Sequence, residues 1–191
     1  AQTMNAWQDV AKTQLANNRL GRSADASQAA FRVCRAIPGG VAASCVAHQL
    51  DHARALLALG QAGEALAQAR QAAALARSHG EMGADEQGAI MLVAQALRAL
   101  GRQAEAESVL VELAQRVAAL ADPVANGQLE IALALDAVRA ERIGIGAADL
   151  TALAGRSSAT AQRIGEQRGW SHPVHASALL DAAALNARGP D

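Results

Sequence analysis

The sequence predicts an all-α protein built as a stack of antiparallel helix pairs, and three observations carry that prediction. The stretch Ala55 to Ala65, ALLALGQAGEA, returns 41 residues later as ALRALGRQAEA at Ala96 to Ala106. A near-copy at that interval marks an architecture in which each two-helix unit cannot bury its own apolar face and leans on the next. The 51% hydrophobic content is carried mainly by Ala, with 1 Phe, 2 Trp and no Tyr, so the core has to be assembled from small side chains and Leu at close helix–helix distances. Ala is also the strongest helix former, and β-branched residues are sparse.

Length and charge bound the rest. At 191 residues the chain has room for four to five helix pairs and a sizeable core. The net charge of −1 leaves no basic field to attract a phosphate backbone, which argues against nucleic acid as a partner. No apolar run approaches the roughly 18 residues of a membrane span, the longest being interrupted by Gln95 and Arg98, so no membrane insertion is expected.

The chain begins Ala1-Gln2-Thr3, as it would after removal of a leader or as a segment of a longer protein would. Trp7, Val10, Ala11 and Leu15 recur at helical spacing, predicting a helix from Trp7 to Leu20 with Gly21 as its left-handed stop. A second helix, Ala26 to Ile37, ends at Pro38 and Gly39-Gly40. Val46 to Leu59 and Glu64 to Arg77 form the next pair around the turn Gly60-Gln61-Ala62-Gly63. A polar connection, Glu81 to Gly88, leads to Ala89–Leu100 and Ala104–Leu120. Asp122-Pro123 reads as an N-cap with proline at the first helical position. A fourth pair covers Val124 to Glu141 and Ala147 to Gln167, and Ser171 to Asn186 is a single helix placed to cover the open end of the stack. The expected organisation is one domain, 1–191, with repeats at 4–37, 41–80, 87–120 and 123–168 and a capping helix at 171–187.

Cys34 and Cys45 flank the turn at Pro38 at nearly equal distances. In an antiparallel hairpin they would lie at one height, where they could form a disulfide or serve as two buried thiols acting as small hydrophobes. A bridge favours a periplasmic or other extracytoplasmic location, and free thiols favour the cytoplasm.

The pattern Leu59-Gly60 followed by Glu64-Ala65, and Leu100-Gly101 followed by Glu105-Ala106, resembles tetratricopeptide repeats (TPR) in the long form of about 40 residues found in bacterial regulators and kinesin-light-chain-type arrays. Leu20-Gly21 followed by Asp25-Ala26 is a weaker copy. The small residues Ala53 and Ala94 in the first helices, and Ala72 and Leu113 in the second, match the same pattern, whereas the family's usual helix aromatics are absent and Arg142 stands where glycine would. The resemblance implies a right-handed superhelical solenoid acting as a non-enzymatic scaffold, with the first helix of each pair lining a concave groove for a peptide or partner protein. By position, the groove falls on Asn18; on Ala47, Leu50, Arg54, Leu57 and Ala58; on Gly88, Met91, Gln95, Arg98 and Ala99; and on Leu129, Ala132, Asp136, Arg139 and Ala140. Arg54, Gln95 and Asp136 recur at the repeat interval, and Arg54, Arg98 and Arg139 would suit the carboxylates of an acidic or carboxylate-terminated segment.

Two other classes stand beside the scaffold: a ligand-sensing domain cut from a larger bacterial regulator or kinase, and a small helical metal protein. For the latter, His48 and His52 lie four apart on one helix face beside Asp51, but Gln49 occupies the place of the glutamate that an HExxH motif requires. Two imidazoles do not make a metal centre, and the repeat register turns His52 toward a neighbouring helix. His172 and His175 are expected at the surface. The sequence contains no nucleophile elbow, phosphate loop or dinucleotide fingerprint, so neither a catalytic residue nor a cofactor is assigned.

Overall fold

Helix ends set the pattern of the molecule. In the computed structural model, residues 6–7, 9–11, 13–14, 17, 19–36, 42–78, 82–121, 127–141, 146–168, 179 and 183 are described. Among them are seven bounded helices and no strand: α1 (Leu20–Ala36), α2 (Ala42–Ala58), α3 (Ala62–Arg77), α4 (Ala84–Ala99), α5 (Gln103–Ala118), α6 (Gln128–Ala140) and α7 (Ala147–Arg168). The chain divides into two compact units, Ala1–Arg102 and Gln103–Asp191.

In the first unit α1, α2, α3 and α4 pack each on the next, and α2 also touches α4. The α2–α3 turn shows why. Gly60 has φ 77°, its N–H donates to the carbonyl of Leu57 (3.0 Å), and the N–H of Gln61 donates to that of Leu56 (2.9 Å). This is the Schellman arrangement, which satisfies the orphan carbonyls of a helix end and reverses the chain. Gly101 repeats it at φ 72°, with Gly101 N–H to Arg98 and Arg102 N–H to Leu97, both at 2.9 Å. Two matching caps 41 residues apart make the repeat a structural fact. Between the helices the core is Ala53, Ala55, Ala69, Ala72, Ala89 and Ala96, interleaved with Leu56, Leu66, Leu92 and Leu97, all buried.

The first pair departs from the expected boundaries. Gly21 lies inside α1 and stops nothing, while the described residues between Ala6 and Gln14 are helical and Asn17 turns. The chain reverses before Leu20 because α1 buries Ser23, Ala24, Ala26, Ser27, Ala30 and Cys34, a stripe that needs helix from Ser23 onward. Ser23 Oγ donates to the carbonyl of Ala11 (2.9 Å), and Ser27 Oγ to that of Ser23 (2.8 Å), so two hydroxyls are buried with their hydrogen bonds made. Similarly, α4 begins at Ala84, inside the segment expected as a connection, because Glu86 is buried and paired with Arg77 Nε at 3.0 Å.

In the second unit α6 packs against both α5 and α7. Leu129, Leu133, Ala161 and Ile164 form one buried cluster; Ala140, Leu153 and Ala154, with Leu150 against them, form another. Gly127, at φ 85°, sits immediately before α6. Asp122-Pro123, the turn residues 143–145, and the capping helix apart from the helical Leu179 and Ala183 lie outside the described residues. No described helix is long and apolar enough to cross a membrane.

Candidate functional site

Two successive reversals, α2 to α3 and α3 to α4, make α2 and α4 run the same way as the first helices of their pairs. They meet at Gly88. A β-carbon there would lie 3.7 Å from Leu50 Cδ1 and 3.8 Å from Arg54 Nη2, so the seam between the helices closes over Leu50 and beneath the Arg54 guanidinium. On α2 and α4, Arg54 and Gln95 are exposed, while Leu57, Met91 and Arg98 are half-buried. Ala47 on α2 is half-buried, and Ala58 on α2 and Ala99 on α4 are exposed.

Arg54 Nη1 pairs with Asp51 Oδ1 one turn earlier at 2.9 Å, with 46% of the arginine side chain exposed. An exposed pair at that spacing is worth only about 0.3–0.5 kcal/mol, so the guanidinium can exchange Asp51 for an incoming carboxylate at small cost.

Four of the described positions assigned to the groove, Leu50, Leu129, Asp136 and Ala140, are not open. Leu50 is 3% exposed and belongs to the core under Gly88. Asp136 is 6% exposed; Arg156 Nη2 (3.2 Å) and Ser157 Oγ (3.4 Å), both on α7, donate to its two carboxylate oxygens. Its neighbour Arg139 reaches α5, its Nε donating to Glu107 Oε1 at 2.8 Å. In the second unit the repeat positions thus hold α6 to its neighbours, and Leu129 and Ala140 there are core residues as well. Asn18 lies outside the described residues, as do His172 and His175.

Cys34 and Cys45 are joined by a disulfide between α1 and α2, with Cα atoms 5.5 Å apart and both residues buried. His48 and His52 are buried on α2. His52 Nδ1 lies 3.1 Å from the carbonyl of Ala24, and because a carbonyl only accepts, Nδ1 carries the proton and donates it. Burial lowers the His52 pKa from 6.5, against the opposing pull of the Ala24 hydrogen bond and of Glu64 and Asp25, while Arg32 adds to the lowering. Gln49, also buried, donates from Nε2 to Oε1 of Gln68 (3.2 Å) and of Gln71 (3.0 Å) on α3. Among the described residues no three His, Cys, Asp or Glu side chains come together in a way that could hold a metal ion.

Sequence reasoning did not foresee Glu86, Glu107, Arg156 or Ser157. For Glu86 a signal existed: Asp85-Glu86 is an acidic first turn, which favours a helix N-terminus there. The other three are ordinary polar residues of amphipathic helices, and nothing in their spacing sets them apart.

No family model and no curated protein matches the chain. Solved structures do. A Podosopora anserina putative kinesin light chain with nearly identical TPR-like repeats superimposes with a TM-score of 0.63 at 16% identity, covering 97% of this chain and 87% of that one. A single-substitution variant of the same protein gives 0.64 with the same identity and coverage. The fold is that of a TPR-like helical repeat protein.

Proposed function

We propose that the chain is a non-enzymatic protein-interaction module whose α2–α4 strip receives an extended segment of a partner protein. Support comes from the approach of the two first helices at Gly88, beside Leu50 and Arg54, and from the exposure of Arg54 and Gln95 and partial exposure of Leu57, Met91 and Arg98 on those helices, which this reading aligns along one seam. TPR-like folds commonly serve as scaffolds, and the two arginines select for acidic or carboxylate-terminated segments through charge-assisted hydrogen bonds. Leu57 and Met91 supply apolar contact between the charges, and Met adapts to varied side chains.

The test is binding of fluorescent extended peptides, each compared with a copy in which Asp and Glu are replaced by Asn and Gln and the C terminus is amidated. The acidic peptides should bind more tightly, and Arg54→Ala with Arg98→Ala should weaken that binding at least about tenfold, as expected for loss of charge-assisted contacts. Arg77 is unsuitable as the control because it pairs with the buried Glu86. Arg70, exposed on α3, is the appropriate one. Equal binding by the double variant, or loss with Arg70→Ala, would move the partner surface elsewhere.

A further inference from the structure

The seam between α1 and α2 is built unlike the rest of the first unit. The residues α1 buries are Ser23, Ala24, Ala26, Ser27, Ala30 and Cys34, with no Leu, Ile or Val among them. Across from them α2 contributes Cys45 and His52, and His48 is buried on the same helix, one turn before His52. Small and polar side chains bury little apolar area, so the α1 face of this seam gains less from the hydrophobic effect than one lined with leucines. Two specific links cross it, the disulfide at the end nearest the loop and the hydrogen bond from His52 to Ala24 at the other.

We propose that the α1–α2 seam is an acid-sensitive latch: proton uptake by His52 releases α1 from α2 at the Ala24 end, while the Cys34–Cys45 disulfide keeps the hairpin tethered so that it can close again.

The chemistry follows from the tautomer. With Nδ1–H committed to the Ala24 carbonyl, the incoming proton must go to Nε2, turning a neutral ring in a buried seam into a cation. The charged groups around it divide. Asp25 on α1 and Glu64 on α3 favour the cation and Arg32 on α1 opposes it, while His48 and Asp51 are the other titratable groups of α2 close in sequence. Burial outweighs the two carboxylates, so the folded seam prefers the neutral ring. A base whose folded pKa lies below its unfolded value of 6.5 contributes its full stability above pH 6.5, and loses it as pH falls from there toward the folded value. In that window a single such group shifts the opening equilibrium by at most about tenfold per pH unit. The hinge is defined by distance from the bridge: Cys45 is held, and His52, two turns along α2, is where the opening starts.

The experiment uses the full, oxidised chain and compares amide hydrogen exchange, corrected for intrinsic rate, at pH 7.5 and 5.5. Amides of α1 should lose up to about tenfold of their protection relative to those of α4, and His52→Asn, which is neutral throughout and keeps a donor near the Nδ1 position, should abolish that difference. Equal changes in α1 and α4, or a difference that persists in His52→Asn, would overturn the latch. Should that variant not fold, an NMR titration of the His52 ring in the unsubstituted chain decides. Uptake of the proton below pH 6.5, together with shifts of α1 resonances, supports the latch; titration at 6.5 with α1 unmoved refutes it.

Discussion

Gly60 and Gly101 carry their role in the backbone alone. A β-carbon at either would meet nothing within 4 Å, so the common intuition that a turn glycine avoids a clash with a packed neighbour does not apply. Their φ values of 77° and 72° are the reason only glycine is comfortable there. It follows that Gly60→Ala and Gly60→Leu should destabilise the chain by similar amounts, about 1–2 kcal/mol, the cost of the left-handed conformation. Gly60→Asn should cost less, since Asn tolerates that region. Chemical denaturation of the three variants checks this, and a Leu variant much worse than the Ala variant would show that space is limiting after all. At this scale the sequence was legible where a residue's role is set by its own backbone, as at these two glycines. It was not legible at Leu50 and Asp136, whose positions followed from the repeat interval. Whether a neighbouring helix covers such a position depends on residues far away in sequence, the backbone at Gly88 against Leu50 and the side chains of Arg156 and Ser157 against Asp136.

Elements were found more reliably than their ends. Helices α3, α5 and α7 fall close to the expected spans, because Leu and Ala at helical spacing define them from within, while α2 ends at its Gly60 cap as expected but starts at Ala42, four residues before Val46. Helices α1 and α4 start earlier than apolar periodicity suggests, since their first turns bury Ser23 and Glu86, residues that a hydrophobicity pattern counts as solvent-facing. The α1–α2 pair also carries a cross-link where α1 buries only small side chains. Its disulfide closes a sequence separation of 11 residues. Cross-links around loops of that size contribute roughly 3 kcal/mol, chiefly by restricting the unfolded chain. Replacing both cysteines, Cys34→Ser with Cys45→Ser, should therefore lower the stability of the first unit by about that amount. A thiol count in denaturant without reductant should find no free thiol in the unsubstituted protein. If the double variant melted with the parent, packing alone would hold α1 to α2.

The same feature recurs within each unit: fully buried helix positions are often alanines. Ala69 and Ala96 in the first unit and Ala161 in the second are completely buried, in a chain with a single Phe and no Tyr. Two explanations compete. If the alanines only reflect residue usage, the seams have slack, and a larger side chain would fill space and add buried area worth about 25 cal/mol per Å². If the alanines set how near the helices come, a larger side chain must push them apart, at a cost of typically about 1–3 kcal/mol. The neighbouring leucines favour the second account. Leu97 and Ile164 are as fully buried as the alanines next to them, so at these seams large residues already fill what the small ones leave. Ala69→Leu, Ala96→Leu and Ala161→Leu should each destabilise the chain by about 1–3 kcal/mol in equilibrium unfolding. Exposed Ala67→Leu on α3, the matched surface control, should stay within about 0.5 kcal/mol of the parent. Stabilisation by any of the three buried substitutions would show that seam to be loosely packed, and would remove close helix approach as the reason this fold is written in alanine.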